Sequence, residues 1–343
     1  MIKLTRRPLP VALAVCALAV VVAAGCGSSK KSSSGTTTSA SGGGGGGKIE
    51  ACALLPDTKS STRYTLFDAP YLKEAFANAN VSAQVLNALG DSQKQKSQAQ
   101  QCLAKGAKVI DYDRLVVGSK AAYYVSFDNV GVGKLQGKGL VDALKANGAY
   151  TQKPVISELN GGITDNNAKL FKQGYDSVLD PLYANGTLVK AKAGDQFTDW
   201  DPIKGRQIFD QMLARNNNDI KGSIAANDGL AGAVIASLKA HGLKPIPLTG
   251  QDATPTGVQF ILAGWQSGTV YKSVKKEADA AAKAAIAIVK GNPVQGVNGN
   301  VSGTKSILLT PVWITKKNYK LLFDDGFLKK SEVCTGQYAQ YCN

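Results

Sequence analysis

The chain has 343 residues, of which 44% are hydrophobic and 19% are charged, so it can bury a core and is not a disordered polypeptide. It contains a single histidine, which excludes a metal site built from several histidines and would leave a Ser-His-Asp triad dependent on His241 alone. His241 instead follows an amphipathic stretch and precedes Gly242, a pattern typical of a cation at a helix C-terminus.

The formal net charge is +15. Lys3, Arg6 and Arg7 precede an apolar segment that we expect to be removed, which lowers the charge by 3 to +12. The other lysines are scattered singly along helix-like segments, without the basic stripe and interleaved aromatic residues that nucleic-acid binding requires. We therefore expect no nucleic-acid partner and interpret the charge as a solvated surface.

Residues 1–25 are typical of a lipoprotein signal peptide. The apolar run from Pro8 to Ala24 has about 17 residues, too few to predict a membrane span. It ends in Ala-Ala-Gly-Cys, which resembles the lipobox of bacterial lipoproteins and implies cleavage before Cys26 and lipidation of Cys26. The alternative is a plain secretory signal with an incidental cysteine. The lipobox predicts an extracytoplasmic protein anchored to the outer face of the cell membrane.

Residues 26–47 are almost entirely Ser, Thr and Gly after the cysteine, which predicts a flexible tether with an r.m.s. reach of about 25 Å. Four further cysteines follow: Cys52, Cys102, Cys334 and Cys342. An even number in an exported chain predicts two disulfides, for which the sequence allows three pairings. Cys334 and Cys342 bracket a turn and are the best local pair, in a C-terminal tail at residues 331–343. We predict no metal site and no cofactor, since there is no close Cys-x-x-Cys pair.

From residue 48 onward the hydrophobic period alternates between that of strands and that of helices. The predicted strands are Ile49–Leu55, Val81–Leu86, Lys108–Tyr112, Tyr123–Phe127, Val155–Leu159, Leu188–Ala193, Ser223–Ala226, Pro247–Thr249, Thr269–Tyr271 and Ile307–Trp313. The predicted helices are Tyr71–Ala79, Ser92–Lys105, Gly131–Asn147, Asn166–Ala184, Pro202–Arg215, Gly229–Ala240, Pro255–Ala263 and Val274–Lys290. This alternation predicts an α/β fold with two parallel sheets.

Polar side chains follow one predicted strand after another. Ligands of parallel α/β sheets bind beyond the carboxyl ends of the strands, so these side chains are candidates for a binding site. Asp, Asn and Arg can each engage neighbouring hydroxyls in pairs, and aromatic residues lie nearby in sequence, as sugar binding requires. The alternative is that these residues cap the following helices; Asp57, Asp165 and Asp201 fit that role.

These segments resemble the periplasmic sugar-binding proteins of bacterial ABC transporters, in particular those for D-xylose. The matching strings include Asp111-Tyr112-Asp113-Arg114, Asp165-Asn166-Asn167-Ala168-Lys169, Ala226-Asn227-Asp228, Gly250-Gln251-Asp252-Ala253 and Val270-Tyr271-Lys272. They occur in the family's order between about residues 48 and 327. Each string is weak evidence, whereas the ordered set is specific.

The resemblance implies a monosaccharide site. Arg63, Arg114 and Lys272 would donate to sugar oxygens. Trp200 and Tyr64, which stands where the family has tryptophan, would sandwich the ring. The hydroxyl pattern would be read by Asp113, Asn167, Asn227 and Asp252.

The resemblance also implies a type I periplasmic binding protein fold, with two doubly wound parallel-sheet lobes joined by hinge segments. We assign residues 48–128 plus 255–290 to the N-terminal lobe and residues 129–254 plus 291–330 to the C-terminal lobe. The family has an additional strand and helix between Gly106 and Ile110 that this chain lacks, so the N-terminal lobe is short by one strand–helix unit. Its loss would either leave a gap with unpaired backbone groups or draw another strand into its place.

The predicted function is capture of a monosaccharide, with D-xylose favoured, and delivery to the membrane subunits of an ABC transporter by a monomeric, non-enzymatic protein. One alternative is a sensor that presents a related pentose or hexose to a signalling receptor. Another is a carbohydrate-active enzyme using a carboxylate pair such as Asp113 and Asp252.

Overall fold

The computed structural model describes residues 49–56, 58, 63–118 and 121–342. The signal peptide, Cys26, the tether and Asp57 lie outside the described residues. The strands are β1 Ala51–Leu55, β2 Ala83–Asn87, β3 Ile110–Tyr112, β4 Tyr123–Phe127, β5 Val155–Asn160, β6 Val189–Phe197, β7 Ile220–Ala225, β8 Thr249–Gln251, β9 Gly268–Tyr271, β10 Gly299–Val301, β11 Thr304–Leu309 and β12 Val312–Ile314. The α-helices are α1 Ala69–Asn78, α2 Ser92–Ala104, α3 Asn129–Ala146, α4 Asn166–Ala184, α5 Pro202–Arg215, α6 Asp228–Ala240, α7 Pro255–Leu262, α8 Val274–Val289, α9 Leu321–Asp324 and α10 Lys330–Val333.

Short polar side chains set where many helices begin. Asp91, Asp128, Asp201 and Thr254 each accept a hydrogen bond from a backbone N–H of the first turn, which satisfies donors that have no partner within the helix. His241 is the C-terminal cap of α6, as predicted. Among the described residues, no helix combines the length and apolar character needed to cross a bilayer.

The C-terminal lobe is built on parallel strands in the order β6-β5-β7, followed by β8-β9 and the antiparallel strand β12. A parallel bridge between Ser223 and Leu248 links the two groups. Helices cover both faces: one core contains Phe209 and Leu230 from α5 and α6, and another contains Leu140 and Tyr175 from α3 and α4. The parallel sheet is the one that the alternating sequence predicted, and helices on both faces make it the doubly wound arrangement that the resemblance implied.

The N-terminal lobe has a divided sheet. Strands β1 and β2 pair with each other, and β3 belongs to a separate sheet with the order β10-β11-β4-β3. No strand pairing joins β1 to β3 among the described residues. The two pieces are held by a shared core in which Leu55 of β1 packs with Val125 of β4, Ala281 of α8 and Ile307 of β11. The missing strand–helix unit thus leaves a gap between β1 and β3, and no other strand has taken its place among the described residues.

The lobe boundaries differ from the predicted ones. Strand β9 pairs with β8, so residues 255–271 belong to the C-terminal lobe rather than the N-terminal lobe. Strand β11 pairs with β4, so residues 299–309 belong to the N-terminal lobe. The chain therefore crosses between lobes after β4, after β9 and after β11. Contiguous stretches of sequence do not reveal this because hydrogen bonding, not chain order, decides the sheet to which a strand belongs.

The single strand predicted at Ile307–Trp313 is instead two strands in different sheets, β11 and β12, separated by Thr310 and Pro311. Proline cannot donate to a strand ladder, which suits the point where the chain leaves one sheet for the other. Two disulfides are present, Cys52–Cys102 between β1 and α2 and Cys334–Cys342 at the C-terminus. The C-terminal residues after α9 pack on the C-terminal lobe, where α10 contacts α7.

Candidate functional site

A small cavity lies between the lobes at the carboxyl ends of the strands. All of the residues predicted for the site line it: Arg63, Tyr64, Asp113, Arg114, Asn167, Trp200, Asn227, Asp252 and Lys272. The shorter N-terminal lobe therefore still brings the loop after β3 to the cleft.

Arg63 lies in a buried charge network behind the cavity wall. Its guanidinium donates to both carboxylate oxygens of Asp68, at 2.7 and 3.1 Å, to Asp113 at 3.1 Å and to Glu277 at 2.5 Å. Glu277 is on α8, more than two hundred positions away in sequence, and nothing in the sequence pattern marked it. These contacts make Arg63 the group that orients Asp113 in the N-terminal lobe.

Two carboxyl groups of this network, Asp113 and Glu277, have pKa values shifted in opposite directions. Burial disfavours the ionised form of Asp113, but Arg63, Lys272 and a 2.5 Å hydrogen bond from the Tyr64 hydroxyl outweigh it and hold the pKa of Asp113 at about 2. Burial raises the pKa of Glu277 to about 8, with Asp113 adding to the shift and Arg63 opposing it. Asp113 is therefore ionised at neutral pH, whereas burial favours the protonated form of Glu277 behind it.

Contacts across the cleft hold the lobes closed. Arg114 of the N-terminal lobe lies 3.3 Å from the Asp165 carboxylate of the C-terminal lobe. Asn167 donates to the backbone carbonyl of Asp113 at 2.8 Å and accepts from the Tyr124 hydroxyl at 3.0 Å. Much of the hydrogen-bonding capacity of Asn167 is thus used between the lobes, in addition to its place on the cavity wall.

Aromatic side chains supply the apolar part of the cavity. The Trp200 ring lies directly on Gly161, where any side-chain carbon would overlap the indole. Its indole N–H donates to Asp165 at 3.1 Å, and Phe171 packs edge-on against it with ring centroids 6.3 Å apart. The Tyr64 ring faces the guanidinium groups of Arg63 and Arg114, at 5.4 and 5.7 Å from its centroid. Tyr64 and Trp200 thus both line the cavity, but the Tyr64 ring already contacts two cations of the protein itself.

Asn227, Asp252 and Lys272 come from the ends of β7, β8 and β9. The Asn227 side-chain oxygen accepts from the N–H of Leu230 and so caps α6, which leaves its amide group for a ligand. Asp252 lies 3.6 Å from the Lys272 ammonium group. Asp113, Trp200 and Asp252 have positive φ angles of 59°, 62° and 94°. Such conformations are costly for residues other than glycine and are concentrated at functional sites.

Three further residues line the cavity without having been predicted: Asp165, Phe171 and Gln251. Asp165 was predicted only as a helix cap, and one of its oxygens does accept from the N–H of Asn167. Its second oxygen contacts Arg114 and accepts from the Trp200 indole N–H in the cleft. Phe171 is one helical turn after Asn167, and Gln251 directly precedes Asp252. Both spacings were visible in the sequence and could have identified them.

The site combines a flat apolar surface with ionised and amide groups that face each other across a cleft. Among the described residues there is no group of three or more potential metal ligands. The arrangement suits a small, neutral molecule with several hydroxyl groups, because each carboxylate can accept two hydrogen bonds and each cation can donate them.

Comparison with known proteins agrees with this geometry. A family described as "periplasmic binding protein domain" matches residues 72–293. The D-xylose-binding periplasmic protein of Haemophilus influenzae is 37% identical over 235 residues, which cover 67% of this chain and 68% of that protein. The multiple sugar-binding periplasmic receptor ChvE of Rhizobium radiobacter is 34% identical over 249 residues, 66% of this chain and 70% of the receptor.

Among solved structures, a carbohydrate transporter solute-binding protein from Chloroflexus aurantiacus in complex with D-glucose has a TM-score of 0.74 at 27% identity, covering 83% of this chain and 98% of that one. An ABC transporter solute-binding protein from Clostridium phytofermentans with bound β-D-glucose has a TM-score of 0.75 at 25% identity, covering 82% and 99%. The sequence match, the two α/β lobes and the cleft between them agree: the chain belongs to the periplasmic binding protein family and has its type I fold.

Proposed function

We propose that this protein is a lipid-anchored, extracytoplasmic binding protein that captures a monosaccharide, with D-xylose as the favoured ligand. It would deliver the sugar to the membrane subunits of an ABC transporter. The observation that carries the proposal is the convergence of side chains from separate strand ends of both lobes on one cavity. The relatives named for D-xylose and for several sugars support this choice of ligand class.

Both lobes would contribute to the bound sugar. Asp113 and Arg114 lie on the N-terminal side, and Asn227 and Asp252 on the C-terminal side, so only the closed form offers both sets of contacts. A ligand that binds the closed form better shifts the lobes toward it. Hydrogen bonds to charged groups contribute about 1.5–3 kcal/mol each, so a few suffice for micromolar affinity, about −8 kcal/mol.

The charge of Asp113 excludes it as the acid of a catalytic carboxylate pair. A glycosidase needs a carboxylic acid that keeps its proton at working pH opposite a nucleophile or base. The pKa of Asp113 is held at about 2, so Asp113 has no proton to give. We propose that the site binds its sugar and returns it unchanged.

A thermal-unfolding titration tests the ligand. The purified chain is melted with D-xylose, L-arabinose, D-ribose and D-glucose side by side. A ligand present at one hundred times its dissociation constant adds about 2.7 kcal/mol to the free energy of unfolding. A shift with D-xylose supports the proposal, a shift only with another sugar changes the ligand, and no shift with any of them contradicts monosaccharide binding at this site.

Anchoring is tested separately. Replacing Cys26 with Ala removes the proposed lipidation site, so the chain should leave the membrane fraction and no longer incorporate labelled fatty acid. Persistent labelling of the Cys26→Ala chain would show that the anchor lies elsewhere.

A further inference from the structure

Asp228 is a buried carboxylate that does not line the cavity. It is the first residue of α6, directly after Asn227, and only 4% of its surface is exposed. One carboxylate oxygen accepts from the Gln266 amide at 2.9 Å and from the Thr269 hydroxyl at 2.8 Å. The other accepts from the backbone N–H of Thr254 at 2.8 Å and from its hydroxyl at 3.1 Å. All four groups, from three residues, donate to it, which is the pattern expected around an ionised carboxylate.

Thr254 and Thr269 connect Asp228 to the turn that carries Asp252. The N–H of Thr254, two residues after Asp252, is bound by Asp228 directly. The N–H of Ala253 donates at 3.2 Å to the Thr269 hydroxyl, which in turn donates to Asp228. The Asp228 carboxylate therefore fixes both peptide groups that follow Asp252, one directly and the other through Thr269.

That turn is strained. Asp252 and Ala253 have φ angles of 94° and 50°, two consecutive left-handed conformations at residues other than glycine. Such conformations are costly for residues other than glycine and persist only where their surroundings impose them. The fit around Asp228 is also tight, since a side-chain carbon on Gly250 or Gly257 would overlap its carboxylate oxygens.

We propose that Asp228 is a positioning residue of the binding site: its carboxylate imposes the left-handed turn at Asp252 and Ala253 and thereby aims the Asp252 carboxylate into the cleft. Through Thr269 the same carboxylate also holds β9, which leads to Lys272, the partner of Asp252. The inference rests on the proposed function, because the affinity it predicts to change is affinity for a monosaccharide. Asp228 acts on the ligand only through Asp252 and Lys272.

The test is a double-mutant cycle with Asp228→Asn and Asp252→Asn. Burial raises the pKa of Asp228 to about 7 despite its donors, so titrations are run at pH 8, where the carboxylate is charged. Asp228→Asn keeps the shape but turns one acceptor into a donor that faces other donors. We expect it to weaken sugar binding about tenfold, the equivalent of one hydrogen bond to a charged group. In the Asp252→Asn background the same change should weaken binding less than about twofold, while it lowers the melting temperature equally in both backgrounds.

Ser157→Ala is the matched control. Ser157 is fully buried in the same lobe and donates to the Ser223 hydroxyl at 2.9 Å. The Ser157→Ala variant should therefore be less stable than the wild type but bind the sugar with the same affinity. Equal losses of affinity from Asp228→Asn in both backgrounds, or no loss, would overturn the positioning role.

A crystal structure of the Asp228→Asn chain gives a readout that needs no sugar. The turn at Asp252 and Ala253 should leave the left-handed region; an unchanged turn overturns the inference even if the proposed ligand is wrong. If wild-type protein binds none of the sugars, the proposed function fails while this structural result still decides the role of Asp228. Should the Asn variant not fold, Thr269→Val removes the hydroxyl that links Ala253 to Asp228 and leaves the bonds from Thr254 to Asp228 in place, and it is expected to show the same displacement.

Discussion

Removing the Cys52–Cys102 disulfide should destabilise the protein more than removing the Cys334–Cys342 disulfide. The bond joins β1 to α2 across 50 residues, whereas Cys334–Cys342 spans 8. In the chain-entropy description, the cost of closing a loop rises with the logarithm of its length. This gives ~4 kcal/mol for the long loop and ~2.5 kcal/mol for the short one, a difference of ~1.5 kcal/mol.

Because its sheet is divided, the N-terminal lobe should lose the most stability when this disulfide is removed. Strands β1 and β2 have no pairing to β3 among the described residues, so the segment from β1 to α2 depends on its shared core and its disulfide. We expect the double variant Cys52→Ser, Cys102→Ser to unfold its N-terminal lobe in less urea than its C-terminal lobe. The C-terminal pair, changed in the same way, is the control for the loss of a disulfide as such.

The chain carries suitable probes. Its three tryptophans, Trp200, Trp265 and Trp313, all belong to the C-terminal lobe, so fluorescence follows that lobe and far-UV circular dichroism follows both. The Cys52→Ser, Cys102→Ser variant should show a circular-dichroism transition that precedes the fluorescence transition, whereas the wild type shows the two closer together. Coincident transitions, or a loss smaller than that of the control pair, would refute the reasoning.

Three further outcomes are expected. Replacing Gly161 with Ala places a methyl group inside the Trp200 ring, so the indole must move, at a cost of about 1–3 kcal/mol, and sugar titrations should show weaker binding with altered tryptophan fluorescence. Asp252→Ala removes a carboxylate that we propose accepts from sugar hydroxyls, and the dissociation constant measured by calorimetry should rise tenfold or more, about 1.4 kcal/mol. Glu277→Gln should flatten the pH dependence of stability: the pKa of Glu277 is about 8 in the folded protein against an ordinary 4.5, so the folded state holds the proton more tightly. The free energy of unfolding of the wild type should therefore fall as pH rises from 5 to 8, and urea titrations across that range should show this slope reduced in the variant.

Each of these has a control. Gly162→Ala, whose methyl group would lie 3.1 Å from the Trp200 ring, should be much milder than Gly161→Ala, and equal effects would argue against the overlap. An unchanged affinity in Asp252→Ala would remove that residue from the site. A pH slope that survives in Glu277→Gln would mean that another group carries the proton.

The sequence was sufficient for the fold class and for nine of the residues that line the interlobe cavity. Alternating periods predicted parallel α/β sheets, and parallel sheets bring the carboxyl ends of their strands to one edge. For that reason Asn227 and Asp252, which follow two different strands of one lobe, could be predicted to lie together without knowledge of the strand order. Asp113 comes from the other lobe, and only the resemblance to the family predicted that it joins them. Residues beside them, such as Phe171 and Gln251, were within reach of the same argument.

The tertiary structure decided what local patterns do not encode. Strand pairing, which depends on hydrogen bonds between distant segments, assigned β9 and β11 to lobes other than those predicted and left a gap between β1 and β3. The hydrogen bond from Arg63 to Glu277 and the bonds between Asp228 and the turn after Asp252 likewise depend on which buried groups come together. A buried charge needs a partner wherever the fold provides one, and no spacing along the chain specifies that partner.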